Sequence, residues 1–327
     1  MADKSKTKIH PAVPELADKL AKGDIDRREF LRTATLLGVS ASAAYAMAGG
    51  VTGSQFVSSA QAATPKKGGN LRVSMNVKEI TDPATYDWSE KGNVARQFVE
   101  PLVRIDRNNI AQPHLAEGWS ASDDLKTWTF KLRKGVKWSN GDDFGADDVV
   151  SNFERWLDPA TGSSNQGRFS SMTQKIDTGK KDKDGKPVMS TVASEGAVEK
   201  VDAHTVRFNL NRADLSLPES MGDYPALIVH RRFAEDGGNL AKKPVGTGPF
   251  ALKQFAVGEK AVLERRKDGP WWGGDVYLDG VTYIDHGDDP GAQIAAMASD
   301  QVDINYQTSV EQIDTIKAIP NLNLLEA

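Results

Sequence analysis

The chain has no cysteine among its 327 residues. That excludes disulfide frameworks, thiolate metal sites, iron–sulfur clusters and a thiol nucleophile together. It also lacks a dominant sign of charge: 41 basic against 45 acidic residues leave −4, no basis for general attraction to nucleic acid or anionic lipid. It lacks a long apolar run, since the Ala-rich stretch 33–48 falls short of the ~20 apolar residues that span a bilayer and is broken by polar residues. Histidine is scarce, five in all and scattered, and no H-E-x-x-H spacing occurs. Asp285-His286-Gly287-Asp288-Asp289, the densest set of potential ligands, reads as an acidic turn. No metal and no cofactor is expected.

What is present divides at about residue 62. Residues 1–32 carry eight Lys/Arg and six Asp/Glu, and 33–65 carry no charge. Just before that uncharged stretch, Asp26-Arg27-Arg28-Glu29-Phe30-Leu31-Arg32 resembles the twin-arginine export motif, with Asp26 where the motif prefers Ser or Thr. Ala60-Gln61-Ala62 closes the stretch as a small-x-small cleavage site, placing the cut between Ala62 and Ala63. Residues 1–62 are therefore expected to be an export leader, recognised through Arg27 and Arg28 by the twin-arginine machinery and removed from a periplasmic product.

Beyond it the patterning is that of a mixed α/β chain, long enough for two domains at ~150 residues each. Leu71 to Asn76 alternates as a strand, and Trp128, Phe130 and Leu132 share one strand face. Val94, Phe98 and Leu102 predict a short helix running up to Pro101. Residues 146–157 predict a clear helix, with Asp147 and Asp148 in the first turn and a stripe of Val149, Phe153, Trp156 and Leu157. Residues 160–194 read as a surface excursion with a turn at Asp184-Gly185, and 198–201 and 206–210 as a hairpin. Gly246-Thr247-Gly248-Pro249-Phe250 predicts a turn into a strand, and Val302-Asp303-Ile304 a buried strand.

Catalytic signatures are missing. No Gly-Lys-Ser/Thr follows the Gly246 turn, and there is no G-x-S-x-G elbow. With 45 acidic residues, a carboxylate pair of the kind glycoside hydrolysis uses stays open as an alternative.

The run Leu115-Ala116-Glu117-Gly118-Trp119 through Asp123-Asp124-Leu125-Lys126-Thr127-Trp128-Thr129-Phe130-Lys131-Leu132-Arg133-Lys134-Gly135-Val136-Lys137-Trp138-Ser139-Asn140-Gly141 is highly particular. Together with Ala146-Asp147-Asp148-Val149-Val150, Gly246 to Phe250, Leu263-Glu264-Arg265 and Trp271-Trp272, it resembles the family 5 extracytoplasmic solute-binding proteins. These are the peptide, opine and nickel receptors of ABC importers. The resemblance implies a type II (cluster C) periplasmic-binding-protein fold, α/β with mixed sheets. It implies a first lobe from 63–105 and 226–327, an inserted domain over 106–225, and a second large lobe absent from this chain, which stops where that lobe would begin.

The resemblance further implies a non-enzymatic, monomeric receptor that hands a peptide-like or other small solute to an inner-membrane permease and binds no nucleic acid. An exported hydrolase and a chemoreceptor-associated binding protein are the alternatives. Loops after strands in open α/β sheets are favoured ligand positions, and the loop 78–90 holds Asp82, Tyr86, Asp87, Trp88 and Ser89. By resemblance, Asp87, Trp88 and Ser89 fall at ligand-contact positions, with Asn165, Asp223 and Tyr224 at further cleft positions. The remaining tryptophans between Trp88 and Trp156 are expected in the core.

Overall fold

The structure is a computed structural model and describes residues 9–52 and 65–325. The expected cleavage residues Ala62 and Ala63 lie outside them. Helices α1 (Ala12–Lys22), α2 (Arg27–Leu36) and α3 (Ala41–Thr52) precede β1 (Asn70–Ser74) and α4 (Ser89–Ala95). There follow β2 (Val103–Ile105), β3 (Ala111–Pro113), β4 (Ala116–Ala121), β5 (Thr127–Leu132), α5 (Ala146–Leu157) and α6 (Asn165–Arg168). Next come β6 (Thr173–Lys181), β7 (Pro187–Ala193), β8 (Val198–Asp202), β9 (Thr205–Asn209) and α7 (Leu217–Ser220). Strands β10 (Phe250–Ala256), β11 (Lys260–Arg265) and β12 (Gly280–Ile284) lead to α8 (Pro290–Ala298), β13 (Ile304–Asn305) and α9 (Ile313–Lys317). The described residues divide into two compact units. One joins the N-terminal helices to Pro101–Lys134 and Gly145–Arg231; the other joins 65–100 to Gly135–Phe144 and the chain from Arg232 onward.

In the first unit, a four-stranded antiparallel sheet ordered β4-β5-β9-β8 packs against α5. The expected alternation in β5 holds: Trp128, Phe130 and Leu132 are buried. Phe153 on the α5 stripe lies at the centre of an aromatic core, its ring 4.6 Å from Trp156, 5.0 Å from Phe169 and 4.6 Å from Phe208. Each such ring contributes about 1.5–3 kcal/mol by burial, which is why this helix is so legible as an apolar stripe. On its polar side, the buried Asp148 accepts from Gly145 N at 3.0 Å and from Arg231 N at 3.0 Å, so the carboxylate is paired rather than stranded. Asn152 donates to Val229 O at 2.7 Å and accepts from Val229 N at 3.2 Å, stitching the helix to that segment.

The N-terminal helices pack on the same unit. Leu20, Phe30, Leu31, Ala34, Ala44 and Ala48 cluster around Ile110. Trp119 Nε1 donates to Leu36 O at 3.0 Å, and Arg32 pairs with Glu219 at 2.6 Å. Among the described residues, no helix is long and apolar enough to cross a membrane.

The second unit is built on a five-stranded mixed sheet ordered β10-β11-β12-β1-β13. Strands β10, β11 and β12 run antiparallel in turn, whereas β1 runs parallel to β12 on one side and to β13 on the other. Val73 and Leu263 bury one face of this sheet. Arg72 fixes the short edge strand: its Nη2 lies 2.7 Å from Asp303 Oδ1, and its backbone N donates to Oδ2 at 2.7 Å. The hydrogen bond from Arg72 holds the Asp303 carboxyl below the usual carboxylate range. A depressed folded-state value means this pair supports the fold at neutral pH, and its support is lost as acidification passes through that value.

The Gly246-Thr247-Gly248 run is more than a turn. Its backbone lies directly on that of Gln97 and Phe98: Gly248 N donates to Phe98 O at 3.0 Å and Phe250 N to Gln97 O at 3.2 Å. A Cβ at Gly246 would sit 1.7 Å from Phe98 O, and one at Gly248 2.8 Å from Phe98 Cα. The hydroxyl of Thr247 and the indole N–H of Trp272 both donate to Oε2 of the buried Glu100, at 2.7 and 2.8 Å. Two separated sequence motifs thus meet at one carboxylate.

Some expected elements differ. The helix expected up to Pro101 ends at Ala95, because the carbonyls of Gln97 and Phe98 serve the incoming 248–250 segment instead. The excursion 160–194 contains the long hairpin β6–β7, whose faces are mostly exposed and so leave no apolar alternation to read. Its turn does fall at Asp184-Gly185, where Asp182 Oδ1 accepts from Asp184 N at 2.8 Å. Val302 is buried as expected, but Ile304 on the edge strand is 44% exposed.

Gly246→Ala is expected to destabilise the protein by about 2–3 kcal/mol in chemical denaturation, since the new methyl collides with fixed backbone. A loss below about 0.5 kcal/mol contradicts the close approach.

Candidate functional site

Because β1, β12 and β13 run parallel, their carboxyl ends finish at one edge of the sheet and their following loops converge. Between those loops lies a depression of about 560 Å³. Ser74 ends β1 and Met75, Asn76 and Lys78 follow it, Asp288 follows β12, and Asn305 to Ser309 close the wall from β13; Trp88 and Glu90 complete it at the start of α4. Open α/β sheets place ligands at this position.

The loops are braced underneath. Val77 N donates to Asp285 Oδ2 at 2.7 Å, and Val77 O accepts from Gly258 N at 2.9 Å. Asn76 Nδ2 donates to Asp288 Oδ1 at 2.6 Å, and Ser74 Oγ lies 3.2 Å from His286 Nδ1. The Tyr283 hydroxyl on β12 donates to Asn93 O at 3.1 Å, tying α4 to the sheet; burial pushes its phenol up to about 12, so it stays protonated in this role. Against this fixed base, Trp88 is 57% exposed, with the Lys78 ammonium 5.2 Å from its ring centroid. An aromatic of that size left in solvent at a concave wall is what a binding surface presents and a core avoids.

Of the residues expected in the loop, Trp88 and Ser89 take part in this wall: Trp88 lines it, and Ser89 Oγ lies 3.0 Å from the hydroxyl of the lining Tyr306. Asp87 is exposed beside them and paired with Lys91 at 2.9 Å; the hydrogen bond from Lys91 lowers its pKa. Tyr86 instead points into the core, and its burial raises the phenol pKa. Asp82 caps the short turn that follows it, accepting from Ala84 N at 3.0 Å.

Asn165, Asp223 and Tyr224 belong to the other unit. Asn165 is 0% exposed, its Nδ2 donating to Pro225 O at 2.8 Å, and Asp223 is paired with Arg168 and accepts from Tyr224 N at 2.7 Å. The expected tryptophans Trp119, Trp128, Trp138 and Trp156 are all buried.

In the N-terminal helices, Asp26 caps α2 by accepting from Glu29 N at 2.8 Å. Ser, Thr and Asp all cap helices in this way. Arg27 lies over the Tyr45 ring at 5.3 Å, while Arg28 is exposed.

Sequence reasoning missed Lys78, Asn305 and Tyr306 as wall residues. The rule that pointed to the loop holding Trp88 would have found Asn305 and Tyr306, had it been applied to the segment after Ile304; Lys78 stands inside that loop and was passed over.

A mixed sheet with an open, braced, aromatic-lined wall at its parallel carboxyl ends defines a binding module. The comparisons give it a family. Residues 111–327 match the profile of the bacterial extracellular solute-binding proteins, family 5, and the chain belongs to that family. It is 29% identical over 262 residues to di/tripeptide-binding protein 1 of Pseudomonas aeruginosa, covering 74% of this chain and 45% of that one. It is 30% identical over 245 residues to heme-binding protein A of Haemophilus influenzae, covering 71% and 42%. The crystal structure of Haemophilus influenzae OppA in complex with RPPGFSPFR superposes with a TM-score of 0.64 at 26% identity, over 77% of this chain and 48% of that one. The fold is therefore that of a type II periplasmic binding protein, and the chain spans about half the length of the relatives it matches.

Asn165→Ala and Trp88→Ala separate packing from display. The first is expected to cost about 1–3 kcal/mol, because Pro225 O loses a buried donor. The second is expected to stay within about 0.5 kcal/mol of the parent. Urea denaturation of both variants checks this, and the reverse order refutes the assignment.

Proposed function

We propose that this chain is the solute-capturing part of a periplasmic ABC-importer receptor, that its ligand is peptide-like, and that the wall beside Trp88 is one face of the binding cleft. The observation that carries the reading is the convergence of three parallel-strand carboxyl ends on an exposed aromatic. The names of the relatives support peptides as the solute class. In this reading 63–105 and 226–327 form the lobe bearing the wall, and 106–225 the inserted domain. Asp87, Trp88 and Ser89 contact solute directly. Within the inserted domain, Asn165, Asp223 and Tyr224 are the candidate solute-binding residues, Asn165 also donating to Pro225 O. Residues 1–62 act as the leader, with Arg27 and Arg28 read by the twin-arginine machinery and cleavage after Ala62. The receptor is monomeric and delivers its solute to a membrane permease.

Capture works by differential contact: a solute touching two walls only in the closed state shifts the population toward closure. A single wall leaves much of the solute hydrated, so these 327 residues alone are expected to bind dipeptides with millimolar dissociation constants. Incubation with a dipeptide pool, followed by separation of bound from free and analysis of both, tests the reading. Intact dipeptide retained by the protein supports it. Cleaved dipeptide supports the hydrolase, and no retention at tens of millimolar removes the reading.

A further inference from the structure

Lys78 stands out in the wall. Among the described residues lining the depression it alone is cationic; Glu90 and Asp288 are the acids. Asp288 is engaged by Asn76 and Asp87 by Lys91. Lys78 exerts a through-space attraction on Asp87, yet its ammonium rests over the Trp88 ring. The lysine lies on an exposed indole, with carboxylates in the neighbourhood, and lines the depression. Its base is anchored: Val77 is hydrogen-bonded on both sides, and Ile80, two residues on, is buried. The free element is the side chain, held to the ring by an attraction weak enough to be shared with a guest.

Resting on the solute-binding reading above, we infer that Lys78 is a specificity residue that seats a carboxylate of the solute against the Trp88 ring. A cationic group approaching that face meets a like charge. An anionic one completes a stack in which the ammonium is flanked by ring and carboxylate, and a planar carboxylate accepts charge-assisted hydrogen bonds from it. Glu90 and Asp288, on the same wall, leave a place for a positive group elsewhere on the guest. The wall thus selects small zwitterions and orients them, acid end on Trp88.

Alanyl-alanine and its C-terminal amide differ in that one charge. Their affinities for the full chain are read from the shifts of isotope-labelled indole resonances, in the parent and in Lys78→Gln and Lys78→Arg. The parent is expected to prefer the free acid by about three- to tenfold, the range of a partly solvated ion pair. Lys78→Gln is expected to abolish the preference while still binding the amide, and Lys78→Arg to retain it. Equal binding of acid and amide by the parent, or an undiminished preference in Lys78→Gln, overturns the inference and leaves the receptor reading standing. If neither probe binds the parent or Lys78→Gln, the receptor reading falls and the inference with it.

Discussion

The organising constraint is the parallel pairing of β1 with both β12 and β13. A parallel neighbour cannot be reached by a tight turn, so each of these strands is followed by a loop or helix that starts at the same edge of the sheet. Three such loops must meet there, and the space between them is the depression lined by Asn76, Asp288 and Tyr306. Had β1 paired antiparallel with β12, the loops after the two strands would leave from opposite ends, and Trp88 would have no wall beside it.

Rigidity follows from contacts lower in the unit. Glu100 gathers Thr247 and Trp272 onto one buried oxygen. The glycines at 246 and 248 let one backbone lie on another. Tyr283 bridges the sheet to α4, and Arg72 clamps the two-residue edge strand through Asp303. None of these groups lines the depression; each braces the loops that do.

Much of this was legible from residues alone wherever burial is one-sided. The α5 stripe, the alternation of β5 and the turn at Asp184-Gly185 were read correctly because one face of each is apolar, or because one residue type is demanded. The end of α4 was not legible, since what stops it is a hydrogen-bonded neighbour some 150 residues away in sequence. The exposed hairpin β6–β7 gave no periodic signal. At the site, Trp88 was found by the strand-end rule. The fully buried place of Asn165 and the inward turn of Tyr86 could not be read from their residue types, which suit a pocket and a core equally well.

The central claim is that solute meets this chain at Trp88. Its most direct measurement is a dipeptide titration of the full chain with all seven tryptophan indoles observed and the Trp88 resonance assigned by substitution. Binding of solute at Trp88 predicts that its signal shifts progressively to saturation while the buried Trp128, Trp138 and Trp156 stay in place. Saturable binding with an unmoved Trp88 signal contradicts it.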